Sequence, residues 1–212
     1  AMAGYDPDEA PGELLTQLLE DKEQLGKSAL EEVATEARHA TGEALHPIRE
    51  LGRSRKPKTG GFRVSMPGLD KSLLDQVDGD RPWQRGSKLA RLVRNEWGFG
   101  NKPIKNKPLA DLLDTKPAIF TDGATVGTQM PFGLRADGNA ACHIYFDRPG
   151  TTTRRFAASR LIGDHLYFDC QERLLPATHA KTSRQKFQRA FAQEFLCPID
   201  ALLEKIQTSL PD

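Results

Sequence analysis

The sequence has few cysteines, few aromatic residues and no long apolar run. Cysteine accounts for 3 of the 212 residues. None of them stands in a Cys-x-x-Cys arrangement, so a disulfide framework or a cysteine zinc site has little support. We expect Cys142, Cys170 and Cys197 to be reduced thiols, as is usual in the cytoplasm. No apolar run approaches the roughly 18 residues of a membrane helix, and the acidic, proline-containing first residues lack a signal-peptide pattern. The sequence therefore predicts a cytoplasmic protein with no membrane partner.

A net charge of +1 hides an uneven distribution along the chain. Residues 1–50 carry twelve acidic and four basic side chains, whereas residues 51–63 carry five basic side chains and no acidic one. Residues 148–190 are also rich in lysine and arginine. An acidic arm and a basic body could attract each other, or the basic surface could face nucleic acid or an acidic partner.

Residues 1–51 read as an acidic helical arm. Leucine and alanine recur at helical spacing from Gly12 onward, and we expect breaks near Gly26 or Gly42 and an end at Pro47 and Gly52. Packing of these leucines on the main domain is the favoured interpretation, because a coiled coil would need more heptads.

Residues 52–63 then read as an exposed basic linker. Its cations can contact phosphates, although a short cluster without aromatic residues is more often simply solvated. The candidate contacts with nucleic acid are Arg53, Arg55, Lys56 and Lys58.

The remaining residues, 64–212, are predicted to form one α+β domain. The helical patterns cover residues 69–78, 83–97, 108–113, 154–168, a long segment that follows Ser183 and is interrupted at Pro198, and 199–206. The longest early helix should turn Leu89, Leu92, Val93 and Trp97 inward and Lys88, Arg91 and Arg94 outward. Strand patterns cover residues 118–121, 131–136 and 140–146, with Asp137-Gly138-Asn139 as a hairpin turn. We therefore expect a small antiparallel sheet packed on a central helix.

The central helix, residues 154–168, has two apolar stripes. A helix that is apolar on both sides is usually enclosed within a domain. We expect the threonine run 151–153 to cap this helix and Ser183 to cap the helix that carries Phe187, Phe191 and Phe195. Arg160 and Asp164 stand four residues apart on one face, where two ligands of a helical metal site would lie.

This helix resembles the core helix of the ImmA/IrrE metallopeptidases, which reads Arg-Phe-x-x-Ala-His-Glu-x-Gly-His-hydrophobic. The matching residues are Arg155-Phe156 and Ser159-Arg160-Leu161-Ile162-Gly163-Asp164-His165-Leu166. A second family signature, x-Phe-Ala-x-Glu-Leu-Leu-x-Pro, is similar to residues 190–198. The resemblance covers roughly residues 84–205 and implies a zincin-like fold preceded here by the helical arm.

The residues that perform the family's chemistry are replaced. Its two zinc-binding histidines correspond to Arg160 and Asp164, its general base corresponds to Leu161, and its third ligand falls near Gln185. A guanidinium has no lone pair to offer a cation, and leucine cannot move a proton. We therefore expect no zinc, and we expect Arg160 and Asp164 to form an i, i+4 ion pair in its place.

Three functional hypotheses remain. The resemblance implies a catalytically inactive protein-recognition or transcription-linked module in a phage, stress or toxin–antitoxin setting, with a helix-turn-helix regulator as a possible partner. A hydrolase with a displaced metal site would use, for example, His165, Asp169 and His143, which do not supply three ligands and a base. A regulator associated with nucleic acid would act through the basic surface.

Overall fold

The computed structural model describes residues 12–37, 41–53, 60–136, 141–168 and 172–209. The helices are α1 Gly12–Leu25, α2 Lys27–Ala37, α3 Thr41–Arg53, α4 Lys71–Leu74, α5 Pro82–Glu96, α6 Asn106–Leu112, α7 Thr151–Tyr167, α8 Ser183–Leu196 and α9 Ile199–Ser209. The strands are β1 Gly61–Ser65, β2 Phe132–Arg135, β3 Ala141–Tyr145 and β4 Leu174–Pro176. The predicted α+β class is confirmed.

The arm consists of α1, α2 and α3. Its break at Gly26 is confirmed, where φ is +105° and an added Cβ would lie 2.6 Å from the Glu172 side chain. The expected end at Pro47 is wrong, because α3 runs through this proline to Arg53. Burial of Leu45, Ile48 and Leu51 on one face of α3 offsets the hydrogen bond that proline removes.

The expected linker overlaps two elements. Gly52 and Arg53 complete α3, and residues 61–63 begin β1. Of the candidate nucleic-acid contacts, Arg55, Lys56 and Lys58 lie outside the described residues.

The sheet is antiparallel, with strand order β1-β3-β2-β4. The predicted hairpin is confirmed by the pairing of Phe132 with Tyr145 and of Arg135 with Cys142, although its turn lies outside the described residues. The strand expected at 118–121 is wrong, since Pro117–Phe120 is a 3-10 helix that buries Ile119 and Phe120. Strands β1 and β4 were not expected, because both are short and neither alternates clearly.

The sheet lies between α7 and the arm. One side carries Cys142 and Ile144 into the core that includes Leu161 of α7. The other side carries Phe132 and Tyr145, whose stacked rings pack with the arm's leucines. The expected packing of the arm on the domain is therefore confirmed, and the sheet is covered by helices on both sides.

Helices α5, α7 and α8 form the remaining layer. The predicted phenylalanine stripe of α8 is buried, and Gly86 of α5 approaches so closely that an added Cβ would collide with the carbonyl oxygen of Phe187. The expectation that Arg94 points outward is wrong: Arg94 is 2% exposed, and its guanidinium donates to the carbonyls of Gly100 and Lys102, both at 2.6 Å. Arg94 thereby supplies hydrogen-bond donors to loop carbonyls that would otherwise be unpaired.

The expected helix caps also need correction by one residue. Gly150 precedes the first turn of α7, so the threonines lie inside that turn, and Thr182 rather than Ser183 caps α8 by accepting from the Gln185 N–H at 3.2 Å. No helix in the described part of the chain is long and apolar enough to cross a membrane.

Candidate functional site

Helices α7 and α8 bring five polar side chains together in the protein interior. Each is at most 5% exposed. We call this set the α7–α8 cluster: Arg160, Asp164, Arg184, Gln185 and Gln188. The three positions that correspond to the family's zinc ligands, 160, 164 and 185, all belong to it.

Asp164 is held by α8. Its carboxylate accepts from Arg184 Nε at 2.8 Å and Nη2 at 2.6 Å, and from Gln188 Nε2 at 2.7 Å. The predicted ion pair between Asp164 and Arg160 is therefore wrong. A fork of two parallel N–H bonds from a facing helix satisfies a fully buried carboxylate better than a neighbour one turn along the same helix.

Arg160 binds neutral acceptors instead. Its Nη2 donates to the Thr178 carbonyl at 2.5 Å and to Oε1 of Gln185, while its Nε has no hydrogen-bond partner among the described residues. Burial lowers the pKa of Arg160 to about 10, and the positive charge of Arg189 contributes to the lowering. The guanidinium thus lies between α7 and α8, and no carboxylate of the described residues is hydrogen-bonded or ion-paired with it.

Arg184 connects this cluster to the arm. Its Nη1 donates to Glu172 Oε2 and to the Ser28 hydroxyl, both at 2.9 Å. Burial alone would lower the pKa of Arg184, but its contacts with Asp164 and Glu172 outweigh burial and raise it. Glu172 Oε1 in turn accepts from the backbone N–H of Ser28 at 2.6 Å, at the first turn of α2, where a negative charge is favourable.

Further arm contacts cover the same end of α8. Glu32 of α2 accepts from the Thr182 hydroxyl at 2.7 Å, and Glu36 lies 3.4 Å from His179 Nδ1. The acidic arm and the basic body therefore do meet, through these contacts and through the Glu172 bridge.

The surroundings of His165 do not support a metal site at His165 and Asp169. His165 Nδ1 accepts from Arg135 Nε at 3.2 Å, which uses the lone pair that a metal would need. Burial lowers the pKa of His165 to about 4, and the charge of Arg135 adds to this effect. Asp169 lies outside the described residues. His143 lies opposite Arg63 of β1, and burial together with Arg63 and Arg173 lowers its pKa.

The remaining family position, Leu161, and the described part of the chain as a whole offer no groups for metal chemistry. Leu161, at the position of the family's general base, is fully buried in the apolar core. Within the described ranges, no three or more His, Cys, Asp and Glu side chains group as metal ligands would.

Sequence reasoning missed Arg184, Gln188 and Glu172. Arg184 and Gln188 are four residues apart and interrupt the apolar stripe of α8, which is the signal that could have indicated them. Glu172 had no such signal, since it stands in an irregular segment before β4.

Comparison with protein-family models, with curated proteins and with solved structures finds no match for this chain. The cluster pairs a carboxylate with a guanidinium and joins amides to carbonyls, an arrangement suited to holding α7, α8 and the arm in one position.

Proposed function

We propose that this chain is a catalytically inactive, zincin-like relative of the ImmA/IrrE metallopeptidases that acts in protein recognition within transcription-linked regulation. What supports the proposal is the convergence of positions 160, 164 and 185 in one buried cluster between α7 and α8. In a working site of this type, two histidines of one helix and an acid of the next meet around the metal.

The cluster explains why hydrolysis would have been lost. Arg160 brings a positive charge into the position of a metal ligand, and Asp164 is occupied by Arg184 and Gln188. Zinc is expected to be absent, because a cation would have to displace a bidentate ion pair and lie beside a second guanidinium.

Recognition can persist without the chemistry, because a peptide is held by different atoms from those that bind metal. The edge strand β1 is the candidate surface, since it pairs only with β3 among the described strands and Arg63 on it is exposed. A partner segment could add there as a further strand. Arg63 would favour an acidic segment, and a helix-turn-helix regulator is the partner class that the resemblance implies.

Rebuilding the ligands tests the inactive-site part of this proposal. We expect Arg160→His, Asp164→His and Gln185→Glu, combined with Arg184→Leu to remove the opposing charge, to bind one zinc ion per chain. The wild type should bind none, and the Arg184→Leu variant is the matched control. Zinc is measured by mass spectrometry after dialysis. A folded four-site variant that binds no zinc would contradict the correspondence with the family's metal site.

A two-hybrid assay against the helix-turn-helix regulators of the source genome tests recognition. We expect at least one interaction, and we expect Arg63→Glu to weaken it without changing the fold, because this side chain is exposed. Failure of every regulator to interact, or an interaction indifferent to R63E, would count against recognition at β1.

A further inference from the structure

The arm covers only part of its side of the sheet. Tyr145 is buried among the arm's leucines, and His143, two residues earlier on β3, points to the same side because alternate residues of a strand share a face. His143 is only partly buried, and Arg63, directly opposite it on β1, is exposed. The part of the sheet where β1 meets β3 is therefore open to solvent on the arm side.

Arg173 brings a second guanidinium to this part of the sheet. Its Nη2 donates to the carbonyl of Gly52 at the end of α3 at 2.9 Å, and its Nε donates to the carbonyl of Arg135 at 3.3 Å. Both acceptors are neutral, so they do not cancel its charge. Burial, and then the charges of Arg63 and Arg173, lower the pKa of His143, so both guanidiniums act on this ring. We call Arg63, His143 and Arg173 the β1–β3 corner.

The β1–β3 corner has no counter-charge in the described part of the chain. No carboxylate there is ion-paired with any of its three members, whereas the exposed Lys107, for example, pairs with Asp111 at 2.8 Å. Two unneutralised guanidiniums beside one another create a positive potential that attracts anions. Arg63 is also the last cation of the acid-free basic run 51–63, and it is the one whose side chain the structure describes.

The aromatic rings near the corner are not available to bases. Tyr145 is 2% exposed and stacks on Phe132, and Phe62 points to the other side of the sheet, where its ring lies 5.9 Å from that of Phe146. Proteins that hold single-stranded nucleic acid usually stack successive bases on exposed aromatic rings. Cations without such rings suit the phosphates of a duplex, which position a protein without specifying sequence.

We propose that the β1–β3 corner binds the phosphate backbone of a nucleic-acid duplex, with Arg63 and Arg173 each contacting a phosphate and His143 donating one N–H beside them. Each cationic contact releases condensed counterions, so the affinity must fall as salt rises. This inference goes beyond the proposed function and does not rest on it. Strand addition would use the backbone edge of β1, whereas the duplex would contact side chains on the face of the sheet.

Fluorescence anisotropy of a labelled duplex DNA at about 50 and about 200 mM salt tests the proposal, and we expect micromolar binding at the lower salt. Arg63→Gln should weaken binding about tenfold there and reduce the slope of log K against log salt by about 1. Lys186→Gln is the matched control and should change neither value. It removes the same charge from an exposed position on α8, on the other side of the sheet.

His143→Lys tests the corner by a gain of binding. The lowered pKa keeps His143 neutral at about pH 7, so lysine adds a charge between the two arginines. We expect tighter binding and a slope steeper by about 1, which a purely structural role of His143 would not produce. Circular dichroism should show that both corner variants keep the fold.

A duplex RNA of the same sequence is titrated in parallel, and the tighter of the two complexes identifies which duplex the corner prefers. Binding of neither duplex at the lower salt would overturn the proposal. Equal losses in R63Q and K186Q would also overturn it, because net charge alone would then explain the affinity. Polyglutamate that displaces the duplex as effectively as unlabelled duplex would show that the corner accepts an acidic polypeptide instead.

Discussion

Two regions of this protein bury arginine in different ways. In the arm and at its junction with the body, Arg49 pairs with Asp21 and Arg184 pairs with Asp164 and Glu172. Inside the body, Arg94, Arg154 and Arg160 have backbone carbonyls and one amide as hydrogen-bond acceptors. Replacing a paired arginine would leave a buried carboxylate without its counter-charge. Replacing a carbonyl-bound arginine would leave only neutral acceptors.

The carbonyl-bound arginines organise irregular backbone. Arg154 is fully buried and donates to the carbonyls of Ile119 at 3.1 Å and Arg148 at 3.2 Å. Its guanidinium lies 5.0 Å from the ring centre of Phe146 and 5.7 Å from that of Phe62. Five N–H donors in a flat fork suit this combination of loop acceptors and aromatic faces, which lysine could not match.

Removing the carboxylate of the best-paired arginine should have the largest effect. Asp164→Ala leaves Arg184 without its bidentate partner and Gln188 with only the Pro176 carbonyl as acceptor, all in the interior. We expect a loss of about 3–5 kcal/mol in the free energy of unfolding, the range typical of breaking a buried pair. Urea unfolding followed by circular dichroism measures it.

The matched control removes both charges. Asp164→Leu combined with Arg184→Leu should cost less than Asp164→Ala alone, because neither member of this pair is then buried without the other, and Glu172 keeps the backbone N–H groups of Ser28 and Ala29 as donors. A single substitution that costs under about 1 kcal/mol would mean that water reaches the pair, as it does for surface pairs.

Most of the helices could be predicted from sequence, because apolar periodicity is a local signal. The central helix, the Gly26 break and the α8 phenylalanines were all recognisable in this way. The hairpin was also predictable, since a turn signal separates two alternating segments. Burial of both sides of the sheet was harder to predict, because the arm that covers one side is distant in sequence from the strands.

The hydrogen-bond partners within the α7–α8 cluster could not be predicted either, because they too are distant in sequence. Position 164 has a cation four residues away at Arg160, but its partner, Arg184, lies twenty residues away. Only the packing of α7 against α8 decides between them. The three short segments that were misassigned, β1, β4 and Pro117–Phe120, hold too few residues for a period to be measured.

The second-largest effect should come from His165, whose neutral ring accepts from Arg135. Since its pKa is lowered to about 4, the unfolded chain binds more protons than the folded chain between about pH 4 and 6.5. Stability should therefore fall as the pH decreases through this window. Allowing for screening at a partly exposed ring, we expect a contribution on the order of 2 kcal/mol.

His165→Gln isolates this contribution, because glutamine keeps an acceptor but does not titrate. Urea midpoints of both proteins, measured from pH 7 to pH 4, should diverge with the wild type losing more stability. Parallel curves would show that protonation of His165 does not lower stability. The contact between Arg135 and His165 would then not require a neutral imidazole.

The smallest effect is expected at Arg160, although it is as deeply buried as Arg184. Arg160→Met removes a desolvated charge that pairs with no carboxylate in the described part of the chain, and the gain offsets the loss of bonds to Thr178 and Gln185. We expect the free energy of unfolding to change by less than about 1 kcal/mol. Arg160→Lys should cost more, since it keeps the charge but loses the planar fork. If urea unfolding instead showed R160M to be as damaging as D164A, Arg160 would behave like a paired arginine, and the distinction between the two regions would fail.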